Sequence, residues 1–286
     1  MTKVKLSWQL AVCGTQNVLP YLSGCLVIFA PMQFTDTHTH LYAEEFSADI
    51  GPLIQEAMAK GIQRFLLPNI DSGSVEGLTV LSEKYPENCF PMMGLHPCSV
   101  KDNWEEEMRL VEKLLSEKRF IAVGEIGMDL YWDKTFVKEQ EIVFRKQVEL
   151  ANHYKLPVSI HSRESFEEIY TLLLETKKEM PCGVFHCFTG TIEQAKRAIN
   201  LGFFLGIGGV VTFKNSGLDN TLEQIDLRHV VLETDAPYLA PTPFRGKRNL
   251  PEYIINVAQK IAGIKGIPLE EVAGITTANA REIFGI

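Results

Sequence analysis

Phe34-Thr-Asp-Thr-His-Thr-His40 and Ile121-Ala-Val-Gly-Glu-Ile-Gly127 are the two stretches whose reading decides the fold. Each is a short apolar run that stops at side chains able to hold a metal: His38 and His40 in the first, Glu125 in the second. Two histidines one residue apart on a strand leave the same face and can reach a single ion. A glutamate entering a packed core has to be paired or metal-bound, because burial of a lone carboxylate is expensive.

Working outward, apolar runs of the same kind recur at Gln63–Pro68, Phe90–Gly94, Pro157–Ile160, Gly183–Phe185, Phe203–Gly206 and Val230–Leu232, with the first at Phe34–Thr37 and the fourth at Ile121–Gly124. Between them lie segments with apolar residues at three- and four-residue spacing, among them Asp49–Lys60, Trp104–Glu117, Lys138–His153, Ser165–Glu175 and Ile192–Leu201. Strands buried on both faces and alternating with helices form a parallel sheet. Eight of them in this length predict an α/β fold of the (βα)8 TIM-barrel type, with an open doubly wound sheet as the structural alternative. The run ends choose between the two, because a barrel projects its reactive side chains from the C-terminal ends of many strands around one mouth. The fifth run ends at His161, the sixth at His186, and the eighth is followed by Glu233-Thr-Asp235. Four histidines and two carboxylates therefore collect at one end: His38, His40, Glu125, His161, His186 and Asp235. A single catalytic zinc keeps about three protein ligands. Six suit two ions about 3.5–4 Å apart that share a carboxylate, and Glu125 is the obvious bridge.

The bulk composition fits this reading. The chain has 286 residues, 45% hydrophobic and 22% charged, which is ordinary for a globular enzyme. A net charge of −8 argues against a protein that grips nucleic acid by overall charge, though an enzyme needs only a local positive rim. The six cysteines contain no CxxC pair and are expected as reduced thiols of a cytoplasmic protein. Cys187 adjoins His186, but neighbours on a strand point to opposite faces, so the two are not expected to share a site. Residues 1–32 read as an extension in front of a single barrel domain over 33–286. Met32 offers an internal start, Leu22-Ser-Gly-Cys25 resembles a lipoprotein cleavage box, and the segment lacks the roughly 20 clean apolar residues of a membrane span.

Taken in order, Asp36–His40, Gly94-Leu-His-Pro97, Gly124–Gly127 with Asp129, His161–Glu164, Phe185–Gly190, Leu232–Leu239, Arg245–Asn249 and Thr277-x-Asn279 with Phe284 resemble the TatD family of metal-dependent deoxyribonucleases, within the amidohydrolase-like barrels. The resemblance covers about residues 33–286. It implies that His38, His40, Glu125 and Asp235 hold one divalent ion and that Glu125, His161 and His186 hold the other, with Mg, Mn or Zn as the metal. It implies hydrolysis of phosphodiesters, with DNA as substrate and 3′–5′ exonuclease action on single strands as the expected activity. One departure is Asn249-Leu250-Pro251, where the family often continues Arg-Asn with Glu-Pro.

In such a site two ions lower the pKa of a water between them and polarise the phosphoryl oxygen. Asp235 is the expected general base. His96 is expected to touch the phosphate or assist the leaving oxygen, and Arg163 to pair with a phosphate. Arg245, Lys247 and Arg248 form a basic loop suited to backbone contacts without sequence preference. Tyr131 and Trp132 could stack on a base. His153 and His229 fall at the wrong end of their elements and receive no role. A barrel hydrolase of a small phosphoester, amide or lactone is the alternative, but relatives of that kind often bridge their metals with a carboxylated lysine, and here the matching residue is Glu125.

Overall fold

The structure is a computed structural model that describes residues 32–117, 119–176 and 181–286. The expectations for the extension, including the box ending at Cys25, lie outside the described residues.

Among these residues eight parallel strands alternate with nine helices. The strands are β1 (Phe34–Asp36), β2 (Ile62–Leu67), β3 (Cys89–Pro91), β4 (Val123–Asp129), β5 (Val158–Arg163), β6 (Gly183–Phe185), β7 (Phe203–Ile207) and β8 (Val230–Leu232). The helices are α1 (Ile50–Ala59), α2 (Val75–Lys84), α3 (Trp104–Glu117), α4 (Val137–Tyr154), α5 (Phe166–Glu175), α6 (Ile192–Asn200), α7 (Leu218–Gln224), α8 (Ile254–Lys265) and α9 (Leu269–Phe284). The ladders form two sheets, β1-β2-β3 and β4-β5-β6-β7-β8. Isolated backbone bonds cross both seams. Met93 bridges Val123 on one side, and Thr37 N donates to Leu232 O (3.0 Å) on the other. The result is the expected (βα)8 barrel, with its ladder interrupted at two places rather than continuous.

The periodicities explain the layers. α3 buries Met108, Val111, Leu114 and Leu115 at helical spacing, and α4 buries Val143, Phe144, Val148 and Ala151, facing the outside of the barrel. The inner core is separate and small: Leu66, Met92, Ala122, Val184 and Val231 meet Ala280, Ile283 and Phe284 of α9. α9 closes the end of the barrel opposite the site. Asn279 Nδ2 donates to Leu227 O and Val230 O (2.7 Å each), and Thr277 Oγ1 to Gln33 O (2.9 Å). These bonds tie the chain's last helix to the entries of β8 and β1.

Strand limits differ from the apolar runs chiefly at β4. The run stops at Gly124, whereas the strand continues to Asp129 because Gly127 pairs with His161 and Asp129 with Arg163 of β5. Gly127 permits this approach: its φ is +142°, and a Cβ there would lie 1.9 Å from His161 O. No described helix is long and apolar enough to cross a membrane.

Candidate metal centre

Glu125 is the middle of the site, 2% exposed within β4. Its two oxygens face different imidazoles. Oε2 lies 3.1 Å from His38 Nε2 and 3.8 Å from His40 Nε2. Oε1 lies 2.9 Å from His161 Nδ1, 3.1 Å from His186 Nε2 and 3.3 Å from His96 Nε2. Asp235 stands with the first set, its Oδ1 3.4 Å from His40 Nε2 and 3.9 Å from His38 Nε2. All six residues expected as ligands are thus brought together, from β4, β5 and the loops after β1, β6 and β8.

The other ring nitrogens show which atoms are free to bind. Tyr42 OH donates to Pro68 O, so at His40 Nδ1 (2.8 Å) it must accept, which leaves the Nε2 lone pair facing the site. His161 stands between two carboxylates, Nε2 3.0 Å from Asp129 Oδ2 and Nδ1 2.9 Å from Glu125 Oε1, so a proton held on Nε2 by Asp129 would leave Nδ1 free for a metal. His38 Nδ1 meets Ser159 Oγ at 3.2 Å, and His186 Nδ1 lies 3.3 Å from Glu233 Oε1. Partners of this kind orient metal-binding imidazoles. His96 is wired the opposite way. Its Nδ1 accepts from Cys98 N (3.0 Å), so the proton of the neutral ring sits on Nε2, pointing into the site. His96 also falls in a donor cluster with Glu125 and His161. We read it as a hydrogen-bond donor rather than a ligand, because binding through Nε2 would move its proton against the Cys98 amide.

Loop geometry holds Asp235 in place. Its backbone is left-handed at φ +57°, its N–H donates to His38 O (2.9 Å), and Asn249 Nδ2 ties the carbonyls of Thr234 and Tyr238 (2.7 Å each). Asp36 accepts from Thr234 N (2.9 Å) and Thr234 Oγ1, joining the ends of β1 and β8 without facing the ligands. Burial pushes the Asp36 carboxyl well above its ordinary range. α4 adds two buried glutamines: Gln147 pins both backbone groups of Leu95 next to His96, and Gln140 Oε1 accepts from Asp129 N (2.9 Å).

The electrostatics suit cations. Burial opposes the charge on Glu125, but His96, His186, His38 and His161 outweigh it and hold the carboxyl well below its usual range. For His186 burial also opposes charge, and Glu125 with Glu233 overcomes it, so its pKa is raised well above 6.5. His161 is raised for the same reason by Asp129 and Glu125. Buried imidazoles crowded on carboxylates, with their ligating nitrogens turned inward, form a donor set that fits divalent zinc or manganese, and the carboxylates extend it to magnesium.

The centre floors a cavity of about 750 Å³. Arg163 and Tyr131 line it, as do His96 and Trp132. Arg245 and Lys247 are exposed and do not line it; Arg245 lies over the Phe213 ring at 4.0 Å. Arg248 is engaged elsewhere, bonded to both Asp49 oxygens (2.6 and 3.1 Å) and to Glu45 O. The expectation that Cys187 stays clear of the site needs correction, since Cys187 lines the same cavity as His186. β6 ends at Phe185 and Cys187 turns left-handed at φ +45°, so strand alternation no longer governs it. Three more left-handed residues, Glu164, Asp235 and Leu239, line the cavity too, a concentration of backbone strain common at functional sites. Sequence reading passed over Asp129, Glu233 and Ser159 as partners of the histidines. A faint signal existed for two of them: Asp129 follows Glu125 by four positions on one strand, and Glu233 precedes Asp235 by two.

The comparisons bear on the family and the fold. The family described as TatD related DNase matches residues 35–285. The uncharacterized metal-dependent hydrolase YabD of Bacillus subtilis is 38% identical over 252 residues, 88% of this chain and 98% of its own. The uncharacterized metal-dependent hydrolase YcfH of Escherichia coli K12 is 32% identical over 262 residues, 89% and 97% respectively. The crystal structure of YjjV, a TatD homolog from E. coli K12, superposes with a TM-score of 0.84 at 28% identity, over 90% of this chain and all of that one. An organophosphorus hydrolase from Deinococcus radiodurans (TM-score 0.65, 14% identity, 90% of this chain and 94% of its own) shares the barrel alone.

Proposed function

The chain belongs to the TatD-related DNase family of metal-dependent hydrolases, and from that footing we propose that it hydrolyses phosphodiesters in DNA, working as a 3′–5′ exonuclease on single strands with two divalent ions. One observation carries the two-ion reading: the oxygens of Glu125 divide the imidazoles, with His38 and His40 on Oε2 and His161 and His186 on Oε1. His38, His40, Glu125 and Asp235 would hold one ion, and Glu125, His161 and His186 the other. Bound there, the ions would supply an acidified water and a polarised phosphoryl oxygen at neutral pH.

The chain's own groups do the rest. Asp235 accepts the proton of the attacking water; its carboxyl lies below its ordinary range because hydrogen bonding to His40 and the neighbouring imidazoles outweigh burial, so it is available as a base. His96 offers Nε2–H to a phosphoryl or departing oxygen, with its direction fixed by the Cys98 amide. Arg163 sits on the cavity wall as the cation for a phosphate oxygen. Exposed Arg245 and Lys247 supply a second, looser contact to the backbone of a strand leaving the cavity.

End-labelled single- and double-stranded oligonucleotides, with and without chelator and added Mg²⁺, Mn²⁺ or Zn²⁺, test the reading. Metal-dependent shortening from the 3′ end, lost in Asp235→Asn, is expected. Intact oligonucleotides alongside turnover of an amide or lactone would reject DNA as the substrate.

A further inference from the structure

Aromatic side chains are normally half or more covered, so a large one left in solvent calls for a reason. Among the described residues the exposed large hydrophobics are Val80, Tyr131, Trp132, Ile142 and Tyr238. All three aromatics in that set line the cavity above the metal centre. Trp132 is 68% exposed and Tyr131 48%. Their recorded ring contacts are with each other and with Arg163, and much of each ring stays open to solvent.

Their placement is fixed by the site. Asp129 Oδ1 accepts the N–H groups of Tyr131 and Trp132 (2.9 Å each), while Asp129 Oδ2 holds His161 Nε2 (3.0 Å). One carboxylate therefore positions the turn that carries the rings and a ligand of the metal centre. The rings meet edge to face at 4.9 Å. Arg163 lies over both, 4.3 Å from the Tyr131 centroid and 5.5 Å from Trp132. Its guanidinium is thereby fixed against an aromatic face with its donors still open, and no described carboxylate lies within ion-pair distance of it. An aromatic face beside a cation, on the rim of a phosphodiester site, matches one repeating ligand unit: a nucleobase and its phosphate.

We propose that Tyr131 and Trp132, backed by Arg163, form a stacking subsite for an unpaired nucleobase next to the scissile phosphate. This rests on the phosphodiesterase reading and deepens it. A base inside a duplex has both faces covered by its neighbours, so the subsite selects strand ends that are already unpaired. Stacking reads the π-face rather than hydrogen-bonding edges, so the subsite accepts all four bases.

The test compares oligothymidylate with the same oligonucleotide carrying an abasic residue at successive positions from the 3′ end. For the metal-loaded wild-type protein, one abasic position is expected to raise KM about 5- to 150-fold. Trp132→Ala is expected to lose a similar factor on the intact strand and nothing further on the abasic one, while Trp132→Phe restores most of the discrimination. Val80→Ala, an exposed apolar side chain away from the cavity, keeps wild-type discrimination. Trp132→Ala losing equally on intact and abasic strands, or losing nothing, overturns the subsite. The same comparison made in binding, by fluorescence anisotropy, reads the subsite without turnover. Absence of base discrimination there counts against the subsite, whereas failure of the wild type to cleave any diester counts against the phosphodiesterase reading instead.

Discussion

At His161 the Asp129 carboxylate faces Nε2 and the Glu125 carboxylate faces Nδ1, and binding a metal through Nδ1 needs the remaining proton held on the Asp129 side. Asp129→Asn removes the charge that enforces this while leaving an oxygen for the Tyr131 and Trp132 amides. Loss of such a partner typically weakens metal affinity about 10- to 100-fold. That loss is expected here, read by competition with a chromogenic chelator, with little change in thermal stability. Full affinity in the variant would mean that Asp129 only shapes the turn. The residues proposed as ligands could be picked out in the sequence because histidine is scarce, seven in 286 residues, and four of them close apolar runs. Their partners were not. Asp129, Glu233 and Ser159 look like ordinary polar residues until pairing with a neighbouring strand puts them behind a ring. The engagement of Arg248 with Asp49 was equally hidden, since the two are 199 positions apart.

Elements were legible where hydropathy alone decides them. α3 runs from Trp104 to Glu117 and β6 from Gly183 to Phe185, the same limits that the apolar spacing predicts. β4 was under-read because Glu125, Gly127 and Asp129 carry no apolar signal, and their strand character comes from hydrogen bonds to β5. The Cys187 expectation failed at a strand end, where a left-handed residue replaces alternation. α9 gives the clearest prediction at this scale. Asn279 satisfies two buried carbonyls at the start of β8. Asn279→Ala orphans both, and a buried unsatisfied polar group costs about 1–3 kcal/mol. Destabilisation of about 2–4 kcal/mol in denaturant unfolding is expected, with metal affinity retained because the site lies at the other end of the barrel. A midpoint matching the wild type would show that water reaches these carbonyls.

Over the whole molecule the centre links pH, metal and stability. His161 and His186 have pKa values raised above 6.5 by their carboxylates. In the metal-free protein the stability these rings contribute is complete below pH 6.5 and is lost as pH rises through their raised values. Glu125 is held below 4.5, so its contribution is present above that pH and fails as pH falls through the depressed value. These three groups together favour the metal-free protein most between about pH 4.5 and 6.5 and less toward alkaline pH, while buried His38, whose pKa is lowered, works against them as pH falls below 6.5. Metal binding needs the same rings deprotonated, so affinity should climb through and beyond neutrality, with protons released on uptake. Titration calorimetry in buffers of different ionisation enthalpy reads that release. Uptake with no proton release would show that the rings are already neutral. The net charge of −8 also bears on the proposal: a nucleic-acid substrate would have to be drawn by a metal-loaded centre and its rim rather than by the molecule's overall charge.

The most direct test of the central claim is to strip the protein with chelator and return Mn²⁺ or Zn²⁺ stepwise, measuring bound metal and hydrolysis of a labelled single-stranded oligonucleotide in the same samples. Activity that is absent without metal, rises with loading and reaches its full value at two ions per chain is the expected result. Activity that survives stripping, or full loading with no phosphodiester cleaved, would contradict the account.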